Sequence, residues 1–191
     1  VGLSARGVVL FPHVEVPSDR VPSADSPSWR GQSIQFLPAR RQTVTEFRPA
    51  GPDDAPVLRE LMIAFYAEDG FDWHEDVAAA MDRLLRDPVL GRAWILESEG
   101  QDAGYVVLCF GFSLEFRGRD GFVDEVYVKP SFRGKGCGRS ALLFVEQEAR
   151  RLGLRALHLE AAGADARLLR LYESLGYRER PHSFLSRPLL P

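Results

Sequence analysis

The stretch Val126-Tyr127-Val128-Lys129-Pro130, followed by Arg133-Gly134-Lys135-Gly136-Cys137-Gly138, constrains the fold more than any other part of this chain. A β-favouring run stops at a proline, which cannot continue a ladder. Alternating glycines then open into a segment with Ala141, Leu142, Val145 and Ala149 at helical spacing. Glycines let a backbone approach a ligand closely, and successive N–H groups of such a turn point into one concavity. The helix start adds the positive end of its dipole. The result is an anion site suited to a pyrophosphate, with Arg133, Lys135 and Arg139 as cations around its rim.

The elements on either side follow from periodicity. Thr43–Arg48 reads as a short strand. Asp53 or Asp54 caps a helix carrying Leu58, Leu61, Met62, Phe65 and Tyr66, with Pro56 in its first turn and Gly70 at its end. A second helix runs from His74 to Asp87, with Val77, Met81, Leu84 and Leu85 on one face. Three strands follow, Arg92–Glu97, Gly104–Phe116 and Phe122–Val128, a meander that implies antiparallel pairing. Gly111 within the second marks a bulge or a close backbone approach. After the glycine-opened helix, which closes at Gly153, come a strand Ala156–Glu160, a helix Asp165–Leu175 and a last strand from Tyr177. Strands Phe122–Val128 and Ala156–Glu160 are joined through a helix and should lie parallel as one βαβ unit. The expected class is α/β, a mixed, mostly antiparallel sheet flanked by helices.

Residues 1–43 have another texture, with Pro12, Pro17, Pro22, Pro27 and Pro38 among polar residues. They cannot bury enough surface to offset their ordering entropy, so the organisation expected is an irregular extension, 1–43, and one domain, 44–191. A net charge of -3 argues against nucleic acid and against a polybasic membrane contact. No run approaches the roughly 18 apolar residues of a membrane span. The segment Gly7–Phe11 is too short for a signal-peptide core. Two cysteines, Cys109 and Cys137, make neither a disulfide framework nor a metal knot. The expectation is a cytoplasmic protein with no metal.

Three phosphate motifs compete for the glycine turn. No stretch has the P-loop spacing. A dinucleotide pattern starting at Gly136 ends on Ala141, with Glu160 as its ribose acid, but Lys129–Lys135 intervene after the strand and a meander precedes it. Arg/Gln-x-x-Gly-x-Gly/Ala fits better, as Arg133 through Gly138. With Val123-Asp124-Glu125-Val126-Tyr127-Val128 before it and Leu171-Tyr172-Glu173-Ser174-Leu175-Gly176-Tyr177 after it, the chain resembles the GNAT superfamily of acyl-CoA N-acyltransferases over Val44 to the C-terminus.

The resemblance implies a fold in which two neighbouring strands splay into a central cleft. There, backbone groups of Val126, Tyr127 and Val128 would bond the pantetheine arm of acetyl-CoA. Arg133, Gly134, Lys135, Gly136, Cys137, Gly138 and Arg139 would hold its pyrophosphate. Many members keep an Asn where this chain has Asp165, which puts that residue's pantetheine contact in doubt. Tyr172 takes the position of the family's proton donor to the departing thiolate. An amine with a pKa of about 10 must lose a proton before attack. Asp124 or Glu125 would accept it, and strict alternation puts these two on opposite sheet faces. The implied activity is acetyl transfer to an amine-bearing acceptor, small molecule or protein, without metal. A homodimer is compatible with this reading, and a non-catalytic acyl-CoA sensor is its alternative.

Other residues have plainer readings. Cys137 packs as a small apolar group or is a reactive thiol at a helix start. Cys109 is core, and His158 is structural. Trp73 and His74 line an acceptor pocket or pack a helix start. Glu115 and Asp120 form an acidic mouth or a hydrated turn balanced by Arg117 and Arg119.

Overall fold

The computed structural model describes residues 44–161, 166–181 and 185–189. The expected extension 1–43 and the candidate site residue Asp165 lie outside the described residues.

Five strands form one sheet in the order β1 (Thr45–Pro49), β2 (Gly91–Ser98), β3 (Gln101–Ser113), β4 (Gly118–Val128) and β5 (Leu157–His158). The first four pair antiparallel, and β4 pairs parallel with β5. Helices α1 (Ala55–Asp69) and α2 (Glu75–Arg86) connect β1 to β2. The glycine-opened helix α3 (Cys137–Arg151) crosses from β4 to β5, and α4 (Ala166–Ser174) follows. The expected mixed sheet and its βαβ unit are both present.

Alternation along the strands divides the core into two layers. Val106, Leu108, Val126 and Val128 face Ala141, Leu142 and Val145 of α3 and Leu168 and Tyr172 of α4. Ile95, Tyr105, Val107 and Tyr127 face Leu58, Leu61, Met62 and Phe65 of α1 and Met81 of α2. Each fully buried large side chain contributes about 1.5–3 kcal/mol, so both helix layers are held mainly by this apolar contact.

Four details depart from the sequence reading. The strand at Ala156–Glu160 shortens to Leu157–His158, paired only with Gly121 and Phe122. Tyr177 and the described residues after it form no strand. The bulge falls in β4 and not at Gly111: Glu125 lies opposite Val107 and Val123 opposite Leu108, so Asp124 is an extra residue that the register skips. Gly111 does make a close approach, because a Cβ there would stand 2.5 Å from Asp120 Oδ1. The bulge also cancels the simple alternation that put Asp124 and Glu125 on opposite faces.

Helix α1 ends with Gly70 in the left-handed region, φ 73°. In its last turn Asp69 has both carboxylate oxygens buried with no hydrogen-bond partner among the described residues. Burial, and then the neighbouring Glu68, push its pKa up to about 6. In the unfolded chain it titrates near ~4. Between those values the folded state binds the extra proton, so Asp69 makes stability fall as pH rises from ~4 to about 6. Asp69→Asn is expected to raise the melting temperature at pH 7, with the gain fading as pH falls through that window; melting curves at pH 4, 5, 6 and 7 check it.

Candidate functional site

The glycine turn is built by backbone conformation. Gly134 and Gly136 have φ of 72° and 93°, a region that costs other residues roughly 1–2 kcal/mol. A Cβ on either would meet no protein atom within 4 Å. Conformation rather than crowding by the chain therefore requires glycine. Gly136 caps α3 with no side chain to offer, and the first helical bond runs from Ser140 N–H to its carbonyl at 3.0 Å. Helix geometry leaves the N–H groups ahead of Ser140 without intrahelical acceptors. These donors, at the positive end of a 15-residue helix, face the exposed turn Gly134–Gly136.

The three cations of the turn divide. Arg133 points inward: its Nε donates to the Val128 carbonyl at 2.6 Å, and its Nη2 pairs with Glu68 of α1 at 2.5 Å. Its guanidinium lies over the Tyr127 ring, and its side chain is only 8% exposed. Lys135 stands outside, 3.4 Å from Glu99 and over Phe132, and Arg139 is exposed. The rim is therefore Lys135 and Arg139, while Arg133 fastens the turn to the end of β4. Cys137 is buried, with Thr45 Oγ1 donating to its sulfur at 3.5 Å, which favours the packing reading over a reactive thiol.

Beside the turn, β4 has an open edge. Lys129 N–H bonds the Ala103 carbonyl, continuing the β3 ladder by one pair. Antiparallel bonding alternates, so Tyr127 and Tyr105 are also a bonded pair. Val126 and Val128 then direct their N–H and C=O groups away from β3. On that side β5 pairs only at Gly121 and Phe122. The two strands part after Phe122, as the splayed cleft requires, and the turn lies at the cleft's wide end.

At the narrow end are the carboxylates. Glu125 Oε2 accepts from Tyr105 O–H at 2.8 Å, and Oε1 from Tyr66 O–H at 3.1 Å. Burial, and next the charge of Glu125, hold the Tyr105 hydroxyl well above its ordinary pKa, so it remains a donor. Asp124, on the bulge, acts on its surroundings from the same region. Burial first, then Asp124 and Glu125, push the Cys109 thiol up to about 12. Burial and then Asp124 raise Glu160, whose carboxylate oxygens are buried without a hydrogen-bond partner among the described residues. Glu160 is thus a neighbour of Asp124 rather than a ribose ligand, and the antiparallel sheet removes the dinucleotide alternative.

Tyr172 of α4 is 3% exposed and packs in the same core layer as Val126, Val128 and Cys137, edge-on to Tyr177. The structure thus gathers the turn, the open strand edge and Tyr172 around one cleft. Sequence reasoning missed Tyr66, Glu68 and Tyr105, which hold Glu125 and Arg133. Trp73 packs against Tyr66 at 5.6 Å between centroids and donates to Glu75 at 3.3 Å, the helix-start reading. Glu115 pairs with Arg180 and Asp120 with His158, neither with the arginines of the turn.

Comparison with known proteins agrees with this geometry. The model of the acetyltransferase (GNAT) family matches residues 56–177. An IAA acetyltransferase of Azospirillum brasilense is 37% identical over 102 residues, 53% of this chain and 67% of the relative. A thialysine N-epsilon-acetyltransferase of Bos taurus is 32% identical over 46% of this chain and about half, 54%, of its own length. The crystal structure of an integron cassette protein from the mobile metagenome of Cole Harbour Salt Marsh is 40% identical, with a TM-score of 0.67, covering 76% of this chain and 91% of that one. The chain belongs to the GNAT acetyltransferase family. Membership makes it an acetyl-CoA-dependent N-acetyltransferase by class. No helix among the described residues is long and apolar enough to cross a membrane, and no His, Cys, Asp and Glu cluster among them suits a metal.

Arg133→Met would leave the Glu68 carboxylate and the Val128 carbonyl short of a donor. It is expected to cost about 1–3 kcal/mol in urea unfolding. Lys135→Met, which removes an exposed pair and a cation–ring contact at the surface, should change stability by less than about 1 kcal/mol.

Proposed function

We propose that the protein transfers an acetyl group from acetyl-CoA to a primary amine by direct attack in a ternary complex. The observation that carries this reading is the open edge of β4, where Val126 and Val128 lead into the glycine turn and the start of α3, whose first N–H groups have no intrahelical acceptors. Pantetheine carries amide groups that match such an edge, and a pyrophosphate matches such a turn. In this reading the N–H and C=O of Val126 and the N–H of Val128 receive the pantetheine arm, and Tyr127 keeps its backbone in the β3 ladder. The Val128 carbonyl is already bonded by Arg133. The turn from Gly134 to Gly138 receives the pyrophosphate, with Lys135 and Arg139 neutralising charge at its rim. Asp165 stays a proposed contact from the family pattern.

The chemistry needs a proton acceptor, a means of stabilising the oxyanion and a proton donor. Asp124 is assigned the acceptor role. Glu125 has an O–H donor on each of its oxygens and serves as a fixed anion facing the ammonium. Attack forms the C–N bond and breaks the C–S bond. Of the two protons given up by the ammonium nitrogen, one leaves through Asp124. The other leaves the nitrogen as the C–S bond breaks and replaces the proton that the Tyr172 hydroxyl gives to the thiolate. A backbone N–H of this β4 edge would stabilise the oxyanion in such a step.

A panel of amines assayed by release of the CoA thiol tests the activity. Turnover of at least one primary amine is expected, whereas acetyl-CoA binding without turnover of any would favour the sensor reading. Asp124→Asn should lower kcat/KM by about 10²-fold or more. The deficit should shrink as pH approaches the amine's own pKa of about 10, where deprotonation no longer needs the enzyme. A deficit independent of pH would remove Asp124 from the acceptor role. Gly136→Val should raise KM for acetyl-CoA by about tenfold or more, because valine resists the left-handed conformation; an unchanged KM would argue against the turn as the pyrophosphate site.

A further inference from the structure

A cavity of about 610 Å³ lies at the end of β3 farthest from the glycine turn. Its walls include Arg92, Arg119, Phe110, Phe112 and Val89, and no carboxylate is among the described residues that line it. Arg92 is two residues from Trp94, and Phe110 is two from Leu108, so both stand on the α3 side of the sheet. None of these residues belongs to the cleft or the turn to which acetyl-CoA and proton transfer are assigned.

The two guanidiniums are held in place with donors to spare. Arg92 Nη1 donates to the Pro88 and Gly91 carbonyls at 2.6 and 2.7 Å, which uses both of its hydrogens. The Nε and Nη2 groups of Arg92 form the side-on fork that fits a carboxylate, and they have no partner among the described residues. The Arg119 side chain makes no hydrogen bond or ion pair with the described residues. Its guanidinium lies over the Phe110 ring at 4.6 Å, and that of Arg92 approaches the same ring at 5.7 Å. The acids of the adjoining turns and strand are engaged elsewhere: Asp87 accepts the Val89 N–H at 3.0 Å, Asp120 pairs with His158 and Glu115 with Arg180. Two cations therefore share one aromatic ring with no counter-charge at the wall.

The rim beside the cations is apolar. Val89 and Phe112 are 73% and 71% exposed, and large apolar side chains left in water around a cavity mark a binding surface. The size of the occupant follows from the backbone. Phe110 N–H reaches the Leu90 carbonyl at 2.8 Å, and β2 pairs no further along β3 than Cys109. Two residues on, Phe112 turns its N–H and C=O to the same side, past the end of β2. That is one residue of open edge before the turn at 114–117, too little for an added peptide strand. A net charge of -3 disfavours an extended polyanion. We infer that the cavity is a binding site for a small aromatic carboxylate, whose charge is held by Arg92 and Arg119 and whose ring lies against Phe112 and Val89. The site is separate from acetyl transfer and does not depend on it.

Calorimetric titration with 1-naphthoate tests the site. The native protein should bind it with a Kd of about 1 mM or tighter, and equally well when CoA is present at saturation. 1-Naphthalenemethanol keeps the ring and loses the charge, and acetate keeps the charge and loses the ring. Each should bind about tenfold more weakly or worse. Arg119→Met should weaken 1-naphthoate by about tenfold or more. Val89→Asp, which adds a like charge at an exposed rim position, should weaken it in the same direction. Arg92→Met should do so as well; if melting curves show that losing its brace on Pro88 and Gly91 unfolds the protein, the other two variants decide. Absence of 1-naphthoate binding, binding unchanged in Arg119→Met and Val89→Asp, or equal binding of acetate or inorganic phosphate would overturn the inference. So would loss of binding when CoA is added, which would put the ligand in the cleft. None of these outcomes bears on the acetylation of amines.

Discussion

The site depends on one extra residue in β4. The register between β3 and β4 skips Asp124, so the strand gains a residue and a local increase in twist just after Phe122, its last contact with β5. Two consequences follow from that insertion. The edge that β5 would have covered is left to Val126 and Val128, which gives the cleft its backbone donors and acceptors. The carboxylates of Asp124 and Glu125 are also brought to act on the same groups, Tyr105 and Cys109, where regular alternation would have separated them.

The bulge had a trace in the sequence. Val128 and Val126 keep period two on the α3 face, and the next valine on that face is Val123, not residue 124. One residue too many lies between two apolar positions of one face, which is the pattern a bulge leaves. Alternation applied without that check gave the wrong relation between the two acids. The helices were legible because their spacing and stops are local: Gly70, Gly136 and Gly153 all take positive φ at helix ends. The strand expected from Tyr177 was not, because a strand exists only if a neighbouring edge accepts it, and nothing in a short aromatic-led segment specifies that edge.

The same division between local and distant runs through the candidate site. Glycine positions and the helix start could be read from motifs. The role of Arg133 could not. A motif arginine beside a phosphate turn reads as a ligand, yet its partners are the Val128 carbonyl five residues back and Glu68, 65 residues away. Likewise Glu125 is held by Tyr105 and Tyr66, at separations of 20 and 59 residues. Buried polar groups must find such donors, but sequence does not say which of several tyrosines will be in reach.

These distant contacts converge on one turn of α1. Tyr66 donates to Glu125, and Glu68 receives both Arg133 and the Tyr127 hydroxyl. The two residues are two positions apart, so they leave the helix about 200° apart. One reaches the carboxylate at the narrow end of the cleft, and the other reaches the guanidinium that fastens the turn at its wide end. Phe65, just before them, packs on Tyr105 and Tyr127, fixing the helix against the sheet. Displacing this turn of α1 would therefore disturb both ends together: Glu125 would lose a donor and Arg133 its counter-charge. The end of the helix thus sets the geometry between the glycine turn and the carboxylates of β4, although it belongs to neither.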